Sequence, residues 1–321
     1  MKYRSFPGED LHPPYETKQK TSQVGVHLAP PPGFRSKHTV EELFRKTPVW
    51  KTLNLWMPIS IAVRQYSLFL MMVRNNIMAK FRHSMLGVFW LFIPPLCILL
   101  IYVYMFSVIF KLKWPDADIT SRWSFGLVIY TGITLYSVFS ETLMGSLSLL
   151  SGRVSIIKRV PFPLELLSPS LALANYLITY AILLLIFVIS QCTDGDGSWM
   201  AFVYLPLTTM PLLLLATGCS WVASAAGLFF RDLGNLLGIV ILLLFFSAPV
   251  FYDSVQIPEE YLWALYLNPL TPIIENTRTI LFKQLEPDWF HLGFSWLVCL
   301  AVFQIGFCIF MRLRRRFADV V

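Results

Sequence analysis

Charged residues are scarce in this chain. Asp, Glu, Lys and Arg make up 14% of its 321 residues, whereas soluble domains carry about a quarter. Apolar residues make up 56%, and apolar runs of about 20 residues, the length that crosses the hydrocarbon core of a bilayer, recur along the chain. The shortage of charge therefore excludes an ordinary soluble domain and predicts an all-α polytopic membrane protein.

Motifs for cofactor or metal chemistry are also missing. The five cysteines form no CxxC pair, and the five histidines have no metal-ligand spacing. The patterns GxSxG, HExxH and GxxxxGK[ST] do not occur. We therefore expect no cofactor, no metal and no ATP-binding loop in this chain, so any ATP must be bound by another subunit.

Two acidic triplets keep one enzymatic alternative open. Asp116-Ala-Asp118 and Asp194-Gly-Asp196 are DxD motifs, which can hold a divalent metal on a nucleotide sugar. A membrane glycosyltransferase is therefore an alternative class. Both triplets lie in short loops on the predicted outer side, where nucleotide sugars are not expected, and this favours ordinary acidic loops.

The first 86 residues divide into two parts. Residues 1–51 are polar and proline-rich, lack a signal-peptide pattern, and predict a flexible cytoplasmic extension. Residues 52–86 predict an amphipathic helix in the inner membrane interface, with a cytosolic helix packed on a partner as the alternative. Basic residues interrupt its apolar positions at Arg64, Arg74, Lys80 and Arg82.

Residues 87–321 predict a domain of six transmembrane spans. Eleven Lys and Arg residues lie near the proposed inner ends and five lie in the outer loops. Because Lys and Arg are retained on the cytoplasmic side, both termini are expected there, and the net charge of +7 reflects topology and not a nucleic-acid partner. The spans are predicted at 87–110, 125–150, 166–190, 200–230, 236–252 and 290–311.

Residues 253–289 differ from the spans. They are apolar enough to enter a membrane, but Pro269, Pro272 and internal charges disfavour a straight helix through it. We expect two short helices that enter from the outer side and return there, with protein or a water-filled cavity covering their ends.

A basic loop at 151–175 separates the second and third spans. Arg153, Lys158 and Arg159 precede Pro161 and Pro163. Since each proline removes a backbone donor and crowds the preceding turn, a short cytoplasmic helix over 152–159 is expected to end there. Such a helix suits a part that a cytosolic partner pushes, whereas an ordinary positively charged turn is the alternative.

The second span carries a polar stripe. Spacings of three and four residues put its members on one helical face, and a carboxylate inside a span is a candidate functional residue. The stripe therefore predicts a channel lining, with close helix packing as the alternative. Phe246 and Tyr252 of the fifth span could face the same path, or lipid or the core. The stripe consists of Thr134, Ser137, Glu141, Gly145 and Ser148.

Six segments occur together in one order along the chain. They are RHSMLGVFWLFIPPL from Arg82, IKRVPFPLELLSPSLALAN from Ile157, RDLGN from Arg231, SAPVFYDSVQIPEEY from Ser247, NPLTPIIENTRTILF from Asn268 and the basic end RLRRRFADVV. In this combination the chain resembles the permease subunits of ABC exporters for bacterial polysaccharides. The resemblance covers about residues 60–321 in the family's order, and it excludes the first 50 or so.

The resemblance implies a homodimer of six-span subunits bound to two ATPase subunits, which bind ATP and Mg. A lipid-linked glycan would pass between the two permeases. Residues 253–289 would form outer gate helices, with Tyr261, Trp263, Asn268, Glu275 and Arg278 as gate residues. Contacts with the ATPase would come from the main coupling helix and a second turn, at Arg153, Ile156, Ile157, Lys158, Arg159, Arg231 and Asp232.

The sequence thus predicts a non-enzymatic permease in the bacterial inner membrane that exports a lipid-linked polysaccharide, with O-antigen as the expected glycan. Capsule and teichoic acid exporters are alternatives within the family. A drug or lipid exporter of the same superfamily is a further alternative, which would not need a wide channel suited to sugars.

Overall fold

The computed structural model describes residues 56–81, 93–109, 122–152, 163–194, 200–230, 232–283 and 285–320, and all regular structure in these ranges is helical. The π-helical stretches Val103–Ile109 and Thr279–Lys283 extend two α-helices, and 3-10 turns cover Leu164–Leu166 and Ser254–Gln256. The α-helices are α1 (Trp56–Arg64), α2 (Tyr66–Phe81), α3 (Ile93–Tyr102), α4 (Arg122–Ser151), α5 (Leu167–Asp194), α6 (Met200–Phe229), α7 (Leu233–Ser247), α8 (Glu259–Tyr266), α9 (Leu270–Arg278) and α10 (Trp289–Val320).

Four helices in the described residues are long and apolar enough to cross a membrane. Their apolar stretches are Phe125–Ser151, Leu164–Cys192, Met200–Phe229 and Trp289–Arg314. They coincide with the predicted spans at 125–150, 166–190, 200–230 and 290–311. These four predictions are therefore confirmed as helices of spanning length.

The other two predicted spans correspond to shorter apolar helices. One is Leu96–Met105, and the other is α7, whose 15 residues give about 22 Å of helix, less than the hydrocarbon core of about 30 Å. Pro249 explains where α7 ends, because Ala248 before it takes the extended conformation that a residue preceding proline prefers. A total of six spans stays a prediction.

The predicted interface helix at 52–86 is divided in the structure. Its described part forms α1 and α2, which meet at an angle of 89° beside Gln65, and together they would count as a fifth span only if taken as one. α2 packs against α5. A location of these helices in the membrane interface stays a prediction.

The centre of the protein is formed by the four long helices. α6 packs against both α4 and α10, and α4 also packs against α5. Near the ends of α4 and α10, a group of buried residues that we call the Trp221 cluster joins these helices to α2 and to the 3-10 turn at Leu164–Leu166. Its buried members are Met72, Leu149, Leu150, Leu164, Leu166, Leu167, Trp221, Ala225, Phe303, Phe307, Phe310, Met311 and Phe317.

α6 stays continuous although Pro206 and Pro211 lie inside it. Pro211 has no N–H to donate to the carbonyl of Leu207 four residues earlier. The indole Nε1 of Trp296 in α10 donates to that carbonyl at 3.1 Å. A neighbouring helix therefore satisfies a backbone group that would be costly to leave unbonded in a membrane.

α6 and α10 cross where two glycines meet. A Cβ atom on Gly218 would lie 2.7 Å from Cα of Phe303, and one on Gly306 would lie 2.7 Å from the backbone carbon of Gly218. These distances are too short for carbon atoms, so the backbones can approach this closely only because neither residue has a side chain. Small residues allow the same close approach in other membrane helix pairs.

Replacing Gly306 by alanine is expected to destabilise the protein by about 1–3 kcal/mol, since the added methyl group must push two backbones apart. The thermal unfolding midpoint of the purified protein in detergent measures the effect. Gly293→Ala in the same helix is the matched control, because nothing lies within 4 Å of its Cβ position. An equal midpoint for the two variants would contradict the crossing.

Candidate functional site

The exposed surface of α4 is narrow and coincides with much of the predicted stripe. Between residues 125 and 150 the exposed positions are Glu141, Met144 and Ser148, and Ser137 is half-buried. Thr134, by contrast, is buried, with 4% of its surface exposed. Of the five stripe residues, Glu141 and Ser148 are therefore exposed, Ser137 and Gly145 are half-buried, and Thr134 lies in the interior.

The stripe offers hydrogen-bond acceptors. The hydroxyl of Ser137 donates to the carbonyl of Thr134 at 2.7 Å, and that of Ser148 donates to the carbonyl of Gly145 at 3.3 Å. A hydroxyl oxygen also has two lone pairs that accept hydrogen bonds. A hydrated or hydroxyl-rich molecule could therefore bond to this face without breaking the helix.

Glu141 forms an ion pair with Lys80 at the end of α2. Nζ of Lys80 lies 2.5 Å from Oε2 of Glu141, and the two side chains keep 36% and 52% of their surface exposed. Charges this exposed on a spanning helix are unfavourable against lipid tails and face water or another protein surface instead. The sequence indicated Glu141 but not its partner, which lies 61 residues away.

Phe246 and Tyr252 lie at the end of α7 and just beyond it. Phe246 keeps 63% of its surface exposed, whereas Tyr252 is half-buried and donates its hydroxyl to the carbonyl of Phe246 at 3.3 Å. The neighbouring Phe245 packs against the core. Phe246 alone of this group projects from the protein, and a role in a channel stays a prediction for both residues.

Most of the predicted contact with an ATPase lies outside the described residues. This holds for Arg153, Ile156, Ile157, Lys158, Arg159 and Arg231. Asp232 is described, and it is exposed in the turn before α7. The coupling role of all seven residues stays a prediction.

The segment at 253–289 contains two short helices, α8 and α9. On α8, Tyr261 and Trp263 keep 61% and 70% of their surface exposed. Glu275 and Arg278 lie on α9, and Asn268 lies in the turn between the helices. Of the five residues predicted for an outer gate, Tyr261 and Trp263 are thus exposed, Glu275 is half-buried, and Asn268 and Arg278 are buried. Their action as a gate stays a prediction.

Asn268 connects the end of α7 with the start of α9. Its side-chain amide donates to the carbonyl of Leu244 at 3.3 Å and to the hydroxyl of Ser247 at 2.9 Å. Its side-chain oxygen accepts the N–H of Leu270 at 3.0 Å. The first N–H groups of a helix have no partner within the helix, so this buried side chain satisfies the first N–H of α9 and also ties it to the last turn of α7.

Arg278 joins the segment after α7 to α4. Its guanidinium is buried and donates to the carbonyls of Val128 at 3.0 Å, Pro249 at 2.5 Å and Val250 at 2.6 Å. Gly132 leaves room for it, because a Cβ there would lie 2.6 Å from Nη2 of Arg278. The arginine therefore connects the two residues that follow the end of α7, Pro249 and Val250, to Val128 of α4.

A cavity of about 250 Å³ opens beside Arg278. Glu275 lines it and accepts the hydroxyl of Tyr266 at 3.1 Å. Asp288 lines it as well, and its hydrogen bond with His291, at 2.7 Å, lowers the pKa of the Asp288 carboxyl below its usual value. The cavity is small and its lining is about equally polar and apolar, and the described part of the chain has no cluster of three His, Cys, Asp or Glu side chains placed to hold a metal.

Comparison with known proteins identifies the family. The sequence model of the ABC-2 type transporter family matches residues 67–282, which include α3 to α9. The chain belongs to this family.

Three curated relatives are similar over most of their length. An O-antigen export system permease protein RfbA from Klebsiella pneumoniae is 24% identical over 259 residues, or 80% of this chain and 95% of the relative. The RfbA protein from Myxococcus xanthus is 25% identical over 79% of this chain and 95% of its own length. The polysialic acid transport protein KpsM from Escherichia coli is 24% identical over 76% of this chain and 91% of its own length.

Proposed function

We propose that this ABC-2 family chain is the membrane permease of an ATP-driven exporter that moves a lipid-linked polysaccharide, O-antigen, from the cytoplasm across the inner membrane. The observation that carries the proposal is the match to O-antigen permeases over 95% of their length. In this proposal two copies of the chain form the path, and two separate ATPase subunits bind ATP and Mg. The chain itself catalyses no reaction.

A capsule exporter is the second candidate, because KpsM matches this chain over 91% of its own length. Deleting the gene for this chain distinguishes the two candidate functions. We expect the cells to lose O-antigen from the surface while lipid-linked glycan accumulates inside, and re-expression should restore export. Loss of a capsular polymer alone would assign the second candidate, and an unchanged cell surface would contradict both.

The exposed face of α4 supports a polar path. Its surface positions from Ser137 to Ser148 extend over 11 steps of the helix, about 16 Å at the usual rise. A polysaccharide carries many hydroxyl groups, which need water or hydrogen-bonding side chains to cross about 30 Å of hydrocarbon. The serines and the Lys80–Glu141 pair supply such groups on one side of the chain.

Single cysteines at Ser137 and Ser148 are expected to react with small water-soluble thiol reagents when the complex is opened by its ATPase. Leu143 and Leu150 in the same helix are matched controls, because they keep 4% and 1% of their surface exposed, and cysteines there should be protected. Rates of labelling measure the difference. If Ser137 and Ser148 stay unreactive in every nucleotide state, this face is a packing surface and the path lies elsewhere.

A further inference from the structure

A buried ion pair connects the 3-10 turn at Leu164–Leu166, within the basic loop at 151–175, with the end of the last helix. Oε2 of Glu165 accepts a hydrogen bond from Nη1 of Arg314 at 2.8 Å. The side chain of Glu165 keeps 2% of its surface exposed and that of Arg314 keeps 21%. The two residues lie 149 positions apart, so the pair connects distant parts of the chain.

The backbone of the same turn is held by a third helix. The indole Nε1 of Trp221 in α6 donates to the carbonyl of Glu165 at 2.9 Å. Leu164 and Leu166, on either side of Glu165, are buried in the Trp221 cluster together with Phe307 and Phe310 of α10. The 3-10 turn is therefore fixed to α6 by a hydrogen bond and to α10 by both charge and apolar contact.

A contribution to the stability of the folded protein does not by itself explain the Glu165–Arg314 pair. Removing a carboxylate from water is costly, and an ion pair in the interior often contributes no more than well-packed apolar side chains would. The other oxygen of Glu165 is buried without a hydrogen-bond partner among the described residues, so its desolvation is only partly compensated. A buried pair does, however, fix one specific arrangement of the two segments, since any other leaves a carboxylate unpaired.

The position of the turn suits it to pass movement from the basic loop to several helices. The turn follows the basic residues of the loop at 151–175 in the sequence, and it leads directly into α5. A push on that loop reaches the helices through Pro163 and the turn. Because the turn is bonded to α6 and α10, the push would move α5, α6 and α10 together and not α5 alone.

We propose that Glu165 and Arg314 are positioning residues that transmit a push on the basic residues Arg153, Lys158 and Arg159 to the last helix during transport. This inference rests on the proposed function, since it requires a partner that pushes the loop. It assigns to Arg314 a role distinct from the general basic charge of the chain's end, which Arg312 and Arg316 also carry. The link acts through the orientation of the helices, and neither residue needs to touch the exported molecule.

The test uses the complete complex of the chain with its ATPase and measures polysaccharide exported per ATP hydrolysed. Glu165→Gln keeps the shape of the side chain but removes its charge, and Arg314 can then turn toward water. We expect about a tenfold lower ratio, a size typical of coupling between sites, with the complex still assembled and still hydrolysing ATP. Arg312→Gln is the matched control, because Arg312 is an exposed neighbour in the same turn of α10, and its ratio should stay at the wild-type value.

Arg314→Gln and the double variant E165Q/R314Q separate coupling from folding. The single variant leaves a buried carboxylate unpaired, and less complex should assemble. The double variant has no unpaired charge, so assembly should recover while the ratio stays low. A double variant with the wild-type ratio, or an Arg312→Gln variant with an equally low one, would overturn the inference. Absence of export in the wild-type complex would instead contradict the proposed function.

Discussion

Replacing Arg278 by methionine is expected to abolish export and to lower the free energy of unfolding by about 2–6 kcal/mol. The substitution leaves the carbonyls of Val128, Pro249 and Val250 without the donor they have now. Each buried acceptor left unbonded costs about 1–3 kcal/mol. The carbonyls of Pro249 and Val250 lose their side-chain donor, whereas that of Val128 keeps the backbone hydrogen bond of α4. The thermal midpoint of the purified protein and the export rate in cells are the two measurements.

Two further variants define the cause of that loss. Arg278→Lys keeps the charge but lacks the rigid fork that reaches several acceptors at once, so an intermediate midpoint is expected. Arg64→Met removes an equally large cation from an exposed position of α1 and should leave the midpoint unchanged. A midpoint for Arg278→Met equal to that for Arg64→Met would show that the three hydrogen bonds contribute little.

Replacing both Ile156 and Ile157 by aspartate is expected to separate ATP hydrolysis from export. These residues are the apolar positions of the predicted coupling helix at 152–159, and a charge there would be buried unpaired against the ATPase. The chain should still insert in the membrane, because the substitutions lie outside the spans. Export should fall by about tenfold or more, as expected when the free energy coupling two sites is lost.

The measurement is ATPase activity and polysaccharide export of the same purified complex. The double variant Ile156→Val/Ile157→Val serves as the control, since it changes the same two positions without placing a carboxylate at an apolar contact, and its export should stay near the wild-type value. Normal export by the double aspartate variant would mean that the segment is an ordinary basic turn. That outcome would leave the family assignment intact and would remove the coupling role alone.

Local patterns in the sequence predicted local features well. The spacing of Ser137, Glu141 and Ser148 placed them on one face of a helix, and in the structure Glu141 and Ser148 are exposed and Ser137 is half-buried. Pro269 and Pro272 disfavoured a straight span, and the segment around them forms two short helices. In both cases the decisive physics acts within a few residues of the chain, through helical periodicity or through the geometry of proline.

Two features that depend on packing had no signal in the sequence. Nothing in the residues next to Gln65 signals a turn of 89°, because no proline or glycine lies there, and the bend depends on how α1 and α2 pack on other helices. Thr134 shares the spacing of the stripe but is buried, because neighbouring helices cover its part of α4. Periodicity gives the face of a helix, whereas the depth of burial depends on its partners.

Long-range polar contacts were beyond prediction for the same reason. Arg278 was assigned to a gate, but its bond with the carbonyl of Val128 joins residues 150 positions apart. The partners of Glu141 and Glu165 were likewise missed. A partial signal existed for Glu165, since the predicted topology places it and the basic end RLRRR on the same side of the membrane.

The most direct test of the proposed transport activity is reconstitution of the purified chain with its ATPase in vesicles that contain lipid-linked O-antigen. The proposal predicts that ATP added on the cytoplasmic face moves the glycan to the opposite face, where an impermeant glycosidase cleaves it, and that vesicles with either subunit alone show no movement. Glycan that stays on the cytoplasmic face while ATP is hydrolysed would contradict export by this chain.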